Sequence, residues 1–133
     1  MIFSKTSFAA AVFLSASIAA ATPFDGAYDS TVDRCYRTSD TRYILSGNRA
    51  EAWESNCSLE NPTTVRSIPG AMIYDAYCTG EGARFSYRLM LIGNIPTYEG
   101  GWSEGNTDLY VVTSGAVRPL VRCPPGVGTI MYQ

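Results

Sequence analysis

The sequence predicts an all-β fold: a single small antiparallel meander of about seven or eight strands, closing into a barrel or barrel-like sandwich and clipped by two disulfides. Three observations carry this. Short runs rich in β-branched and aromatic residues recur about every 8–12 residues, with Gly, Pro, Asn and Ser between them. No helical period appears after residue 21. The four cysteines, Cys35, Cys57, Cys78 and Cys123, are an even number in a short chain, the usual mark of a disulfide framework.

The first segment reads as an export signal. Lys5 supplies a positive start, Phe8 to Ile18 is apolar apart from Ser15 and Ser17, and Ala19-Ala20-Ala21 offers a small-residue cleavage site. The apolar run is shorter than the roughly 20 residues a membrane span needs. The expectation is therefore a signal peptide over residues 1–21, a single β-domain over 22–133, and a periplasmic or extracellular location. From Thr22 onward there are nine Arg, no Lys and twelve Asp or Glu, a formal charge of −3. Such a balance speaks against nucleic acid, whose phosphates need a basic face, and no basic amphipathic stretch suggests a membrane surface.

The elements follow in order. Thr22 to Asp40 is polar and aperiodic, with a short strand around Ala27–Tyr28. Arg42 to Ser55 is a hairpin about Gly47-Asn48. A two-residue turn pairs Leu45 with Ala50 and Tyr43 with Ala52; a three-residue loop pairs Tyr43 with Trp53 instead, and both stay open. Cys57 to Pro62 reads as a connection, because Asn61-Pro62 starts a turn. Thr63 to Ile68 reads as a strand ended by Pro69-Gly70.

The clearest signal is the pair of runs Ala71–Cys78 and Ala83–Ile92 about Thr79-Gly80-Glu81-Gly82. In the second run Ala83, Phe85, Tyr87, Leu89 and Leu91 share one parity, and Arg84, Ser86 and Arg88 the other. The first set is expected in a core and the second in water. Gly93 to Pro96 breaks this strand, and Tyr98 to Asn106 is a glycine-rich loop. Leu109–Thr113 and Ala116–Arg122 are strands about Ser114-Gly115, with Val117, Val121 and Cys123 on one parity against Arg118 and Arg122. Cys123-Pro124-Pro125-Gly126 closes the domain, and Val127–Gln133 is a tail with room for a short edge strand.

The cysteines allow three connectivities. Cys57–Cys78 with Cys35–Cys123 is the favoured one, worth roughly 3 and 4–5 kcal/mol by loop-closure entropy. A zinc site is disfavoured, since the chain has no His and no C-x-x-C pair. No metal or cofactor is expected. Absence of His also removes Ser-His and Cys-His catalysis, and oxidised thiols remove a nucleophilic Cys. A carboxylate pair is the remaining catalytic option, with Glu54, Asp75, Glu81, Glu99 and Glu104 as candidates by residue type.

The binding candidates are Trp102 and Tyr98, large aromatics in a loop that cannot form a core strand, with Arg84 and Arg88 as polar companions. The functional expectation is a non-enzymatic exported binding or inhibitor-like protein whose partner is another envelope protein or a small ligand. A glycan hydrolase and a structural envelope domain are the alternatives.

The run Glu54-Ser55-Asn56-Cys57-Ser58-Leu59-Glu60-Asn61-Pro62, the turn Cys78-Thr79-Gly80-Glu81-Gly82 and the closing Val121-Arg122-Cys123 resemble small exported two-disulfide bacterial β-proteins of unassigned function. In size, leader and disulfide count the chain is also similar to small-barrel periplasmic lysozyme inhibitors. Those carry a Ser-Gly-x-x-Tyr loop, whereas here Ser114-Gly115-Ala116 runs into Val117-Arg118 without a Tyr. The resemblance implies a fold and no inhibitor residues.

Overall fold

The alternation read from the sequence closes on itself. In the computed structural model, which describes residues 11–12, 22–93 and 107–131, eight antiparallel strands form a closed barrel in sequence order. They are β1 (Gly26–Asp29), β2 (Tyr43–Ser46), β3 (Arg49–Ala52), β4 (Ser55–Thr64), β5 (Ala71–Gly80), β6 (Ala83–Gly93), β7 (Leu109–Thr113) and β8 (Ala116–Arg122). The pairing of β1 with β8 at Tyr28–Arg122 shuts the barrel. The expected leader, apart from residues 11 and 12, and the whole Tyr98–Asn106 loop lie outside the described residues. Among the described residues no helix is long and apolar enough to cross a membrane.

An eight-stranded barrel has an interior that side chains just fill. Here Tyr28, Tyr43, Leu45, Leu59, Tyr74, Leu89, Leu91, Leu109, Val111 and Leu120 form one buried cluster. The open choice at Gly47-Asn48 resolves to the two-residue turn: Leu45 faces Ala50 and Tyr43 faces Ala52. Gly47 takes the positive φ, 58°, that glycine adopts freely. The β3–β4 and β5–β6 turns touch at the opposite end, where a Cβ on Gly80 would collide with the Glu54 carbonyl.

Two expectations need correction. Residues 57–62 are not a connection: β4 runs from Ser55 to Thr64, and the break expected at Asn61-Pro62 is a register shift between Glu60 and Thr63. Asn61 turns left-handed there, φ 53°, so the chain bends and continues pairing with β5. The strand expected over Thr63–Ile68 is thus the end of β4, and residues 65–70 form the loop. In β8 the inward parity belongs to Arg118 and Leu120, while Val117 is 62% exposed. Tyr28 packs against the Arg122 guanidinium at 4.8 Å from the ring centroid, and the arginine donates to its hydroxyl at 2.6 Å.

Both expected disulfides form, and among the described residues no cysteine is free. Cys57 and Cys78 face each other directly across β4 and β5. Cys35 and Cys123 join a second, smaller core on the outer wall with Ala27, Ile44 and Val127. A 3-10 helix, Val32–Tyr36, lies over it, and residues 124–131 run on as tail without strand pairing. The lead-in around Cys35 is therefore held by packing as well as by its disulfide.

Candidate functional site

The long strand β6 outruns its neighbour. On one side it pairs with β5 along its whole length, from Ala83–Gly80 to Ile92–Ala71. On the other side β7 reaches only Met90 to Gly93, because β7 ends at Thr113 and turns at Ser114-Gly115. Among the described residues the first half of β6 thus has a free edge, and every residue from Ala83 to Arg88 is exposed.

The turn fixes which backbone groups are left over. Glu81 and Gly82 both have positive φ, 50° and 74°, as a two-residue primed hairpin turn requires. Gly80 and Ala83 close that turn as a hydrogen-bonded pair, so β6 residues of Ala83's parity bond to β5. The N–H and C=O of Arg84, Ser86 and Arg88 point the other way. Met90 and Ile92, of the same parity, turn theirs toward Val112 and Tyr110. Among the described residues no strand covers Arg84, Ser86 and Arg88 from that side.

The side chains divide between the two faces as the alternation requires. Leu89 and Leu91 are each 1% exposed inside the barrel. Phe85 and Tyr87, expected in the core with them, are 44% and 36% exposed. The reason is the missing neighbour: they hold the inward parity, but the wall that would cover them stops at β7. Their rings stack on each other at 6.3 Å, and the Tyr87 hydroxyl approaches Cys57 Sγ at 3.8 Å. On the outer face Arg88 meets Asp75 at 3.3 Å, and Asn61 donates to the same carboxylate at 2.9 Å. The Asn61 hydrogen bond, then Arg88, holds the Asp75 carboxyl below its ordinary range. Arg84 meets no carboxylate among the described residues.

Just inside this end of the barrel Arg118 lies over the Tyr43 ring, 5.9 Å from its centroid, and donates to the Thr41 carbonyl at 3.2 Å. Burial raises the Tyr43 phenol well above its usual range, Tyr87 adds to the rise, and Arg118 opposes it. The Tyr43 hydroxyl is buried without a hydrogen-bond partner among the described residues.

The other end of β4 also has an uncovered stretch, but it is blunted. There β3 pairs no further than Ser58, and beyond it come the Asn61 bend and Pro62, which offers no N–H. A cavity of about 450 Å³ at that end is lined by Phe24, Val65, Ile68, Met72 and neighbours, none of them ionisable. Of the carboxylates singled out, Glu54 and Glu81 come together on adjoining turn tips. A hydrogen bond with Glu81 raises the Glu54 carboxyl, although the group is wholly exposed. Glu99, Glu104, Tyr98 and Trp102 lie outside the described residues.

Sequence reasoning placed Arg84 and Arg88 in water but missed the free edge between them. One signal was available: the run Ala83–Ile92 is twice as long as Leu109–Thr113, so one cannot cover the other. Compared with known protein families, curated proteins and solved structures, the chain matches none.

Proposed function

We propose that this is a non-enzymatic exported binding protein, inhibitor-like in kind, that takes an extended segment of another protein onto the free edge of β6. The observation that carries this is the run of backbone groups at Arg84, Ser86 and Arg88 that have no partner among the described residues, beside two exposed aromatic rings. Natural barrels abolish edges, or blunt them with Pro, Lys or bulges, because an open edge recruits strands. In β6 the exposed half carries no Pro and no bulge, and its charges are Arg84 and Arg88. Strand addition draws affinity from main-chain hydrogen bonds and specificity from alternate side chains. The paired cysteines favour an oxidising compartment, in line with the leader-like first 21 residues. A glycan hydrolase has less support, since the close carboxylates Glu54 and Glu81 stand on exposed turn tips with no wall to exclude water.

Hydrogen exchange tests the reading. The Arg84, Ser86 and Arg88 amides exchange fast in the isolated protein and become protected when a partner from an envelope extract is bound. Ser86→Pro removes an edge donor without breaking a bond to β5, so it abolishes partner capture while leaving the melting temperature nearly unchanged. Partner binding that leaves these amides unprotected and tolerates the proline overturns the proposal.

A further inference from the structure

We infer that the strand added to β6 belongs to a different protein rather than a second copy of this chain, and that it carries acidic side chains opposite Arg84 and Arg88 with apolar side chains between them. The inference rests on the strand-addition reading above and names the chemistry of the occupant.

A second copy is the first occupant to consider, since an open edge can pair with itself. The antiparallel register that uses the whole edge places Ser86 on the twofold axis. It then sets Arg84 of one copy against Arg88 of the other, twice over. Like charges directly opposite across a strand pair are unfavourable. Arg84 makes no ion pair among the described residues, and Arg88 is paired with Asp75 alone, so two copies would bring four arginines together against two carboxylates. The edge therefore disfavours itself and suits the opposite charge.

The rest of the pattern follows from the pleat. Residues of the incoming strand that face Arg84 and Arg88 lie on the outer face and are four positions apart. Between them, on the other face, two residues land against Phe85 and Tyr87, which the barrel leaves 44% and 36% exposed. Apolar side chains there finish the wall that β7 leaves short. The residue opposite Ser86 sits on the outer face beside the Ser86 hydroxymethyl, where a small polar side chain fits. The motif is acidic, apolar, small, apolar, acidic. An Arg has five N–H donors, so Arg88 can hold an incoming carboxylate while keeping Asp75.

The test uses labelled, end-blocked peptides followed by fluorescence anisotropy. One carries the core Glu-Val-Thr-Val-Glu, a second Lys-Val-Thr-Val-Lys, and a third the acidic composition in scrambled order. The acidic alternating peptide should bind about two- to thirtyfold more tightly than the other two, the range expected from two cross-strand charge pairs. Arg84→Glu should erase that preference, and Ser86→Pro should abolish binding of every peptide. Sedimentation should show a monomer. Equal binding of the acidic and basic peptides overturns the charge inference. A dimer that Ser86→Pro dissociates overturns the exclusion of a second copy. If no peptide binds while a partner protein still protects the Arg84, Ser86 and Arg88 amides, the stated chemistry fails and strand addition stands. If those amides are never protected, both fail.

Discussion

Arg42 and Asp29 form an ion pair, Nε to Oδ2 at 3.1 Å, with both side chains wholly buried on the outer side of the barrel wall. Everything around them is satisfied. Arg42 also donates to the carbonyls of Arg34, Arg37 and Ile130, with a longer contact to that of Gly128. Asp29 accepts from the Thr41 and Ser39 hydroxyls and the Ser30 N–H. One guanidinium thus ties the 3-10 helix segment and the C-terminal tail to β1. Removing it leaves the buried Asp29 carboxylate without its countercharge and takes a donor from the Arg37 and Ile130 carbonyls.

Arg42→Met should therefore destabilise the domain by about 3–5 kcal/mol, as breaking a buried pair does. The double variant Arg42→Met/Asp29→Leu should recover only part, because the Arg37 and Ile130 carbonyls still lack the guanidinium's donors. Urea denaturation of the three proteins measures both. Full recovery in the double variant would show that the carbonyl bonds contribute nothing.

Two carboxylates should respond to pH in opposite senses. Burial raises the Asp29 pKa, but the hydrogen bonds from Thr41, Ser30, Ser39 and Arg42 outweigh it and the net shift is downward. Its contribution is present above the ordinary Asp range, near 4, and is lost as pH falls through the lowered value. Glu54 is raised by its hydrogen bond with Glu81 and by the nearby charge. The folded state then holds a proton there more tightly than the unfolded chain, so stability falls as pH rises through that range. Glu81→Gln should raise the melting temperature at neutral pH and lose that advantage in acid. A gain that persists in acid would point to turn conformation rather than charge.

Leu89 and Phe85 share a strand and a parity, yet they should differ in what they contribute. Leu89→Ala, at 1% exposure, should cost about 2–5 kcal/mol. Phe85→Ala, at 44% exposure, should cost about 1 kcal/mol. Chemical denaturation measures each, and equal losses would mean that Phe85 is covered in solution.

This contrast marks how far the sequence could be read. Alternation in Ala83–Ile92 is a local property, so it gave the inward set, the hairpin and, with its neighbours, the meander. Cys57–Cys78 is favoured from the sequence although Cys57 reads there as part of a connection; that the two face each other on adjacent strands comes only with the full length of β4. Coverage is not local: whether Phe85 is buried depends on where β7 ends, after a loop that sets no register. The inward face of β8 was not legible, because the strand carries apolar residues on both faces and the inward set includes Arg118. Arg42 and Asp29 gave no signal at all. Their burial depends on a tail that returns over the outer wall, and charged residues in water are the ordinary expectation.

The two disulfides should separate stability from binding. Cys35–Cys123 closes a separation of 88 residues and holds the outer core, away from β6. Cys57–Cys78 closes only 21, but it lies directly behind the exposed aromatics: Cys78 faces Phe85 across the hairpin, and Cys57 meets the Tyr87 hydroxyl. By loop entropy, Cys35→Ala/Cys123→Ala should cost more, roughly 4–5 kcal/mol against about 3 for Cys57→Ala/Cys78→Ala. The order should reverse for binding. Losing Cys57–Cys78 removes the clip between β4 and β5 at the tip that presents the free edge, so β6 loses its rigid backing. Peptide affinity should fall in that variant and hold in the other, at a temperature where both remain folded. Denaturation curves and anisotropy titrations on the two proteins make the comparison. An affinity that follows stability, lowest where Cys35–Cys123 is missing, would show that the edge draws its order from the whole barrel and not from the clip behind it.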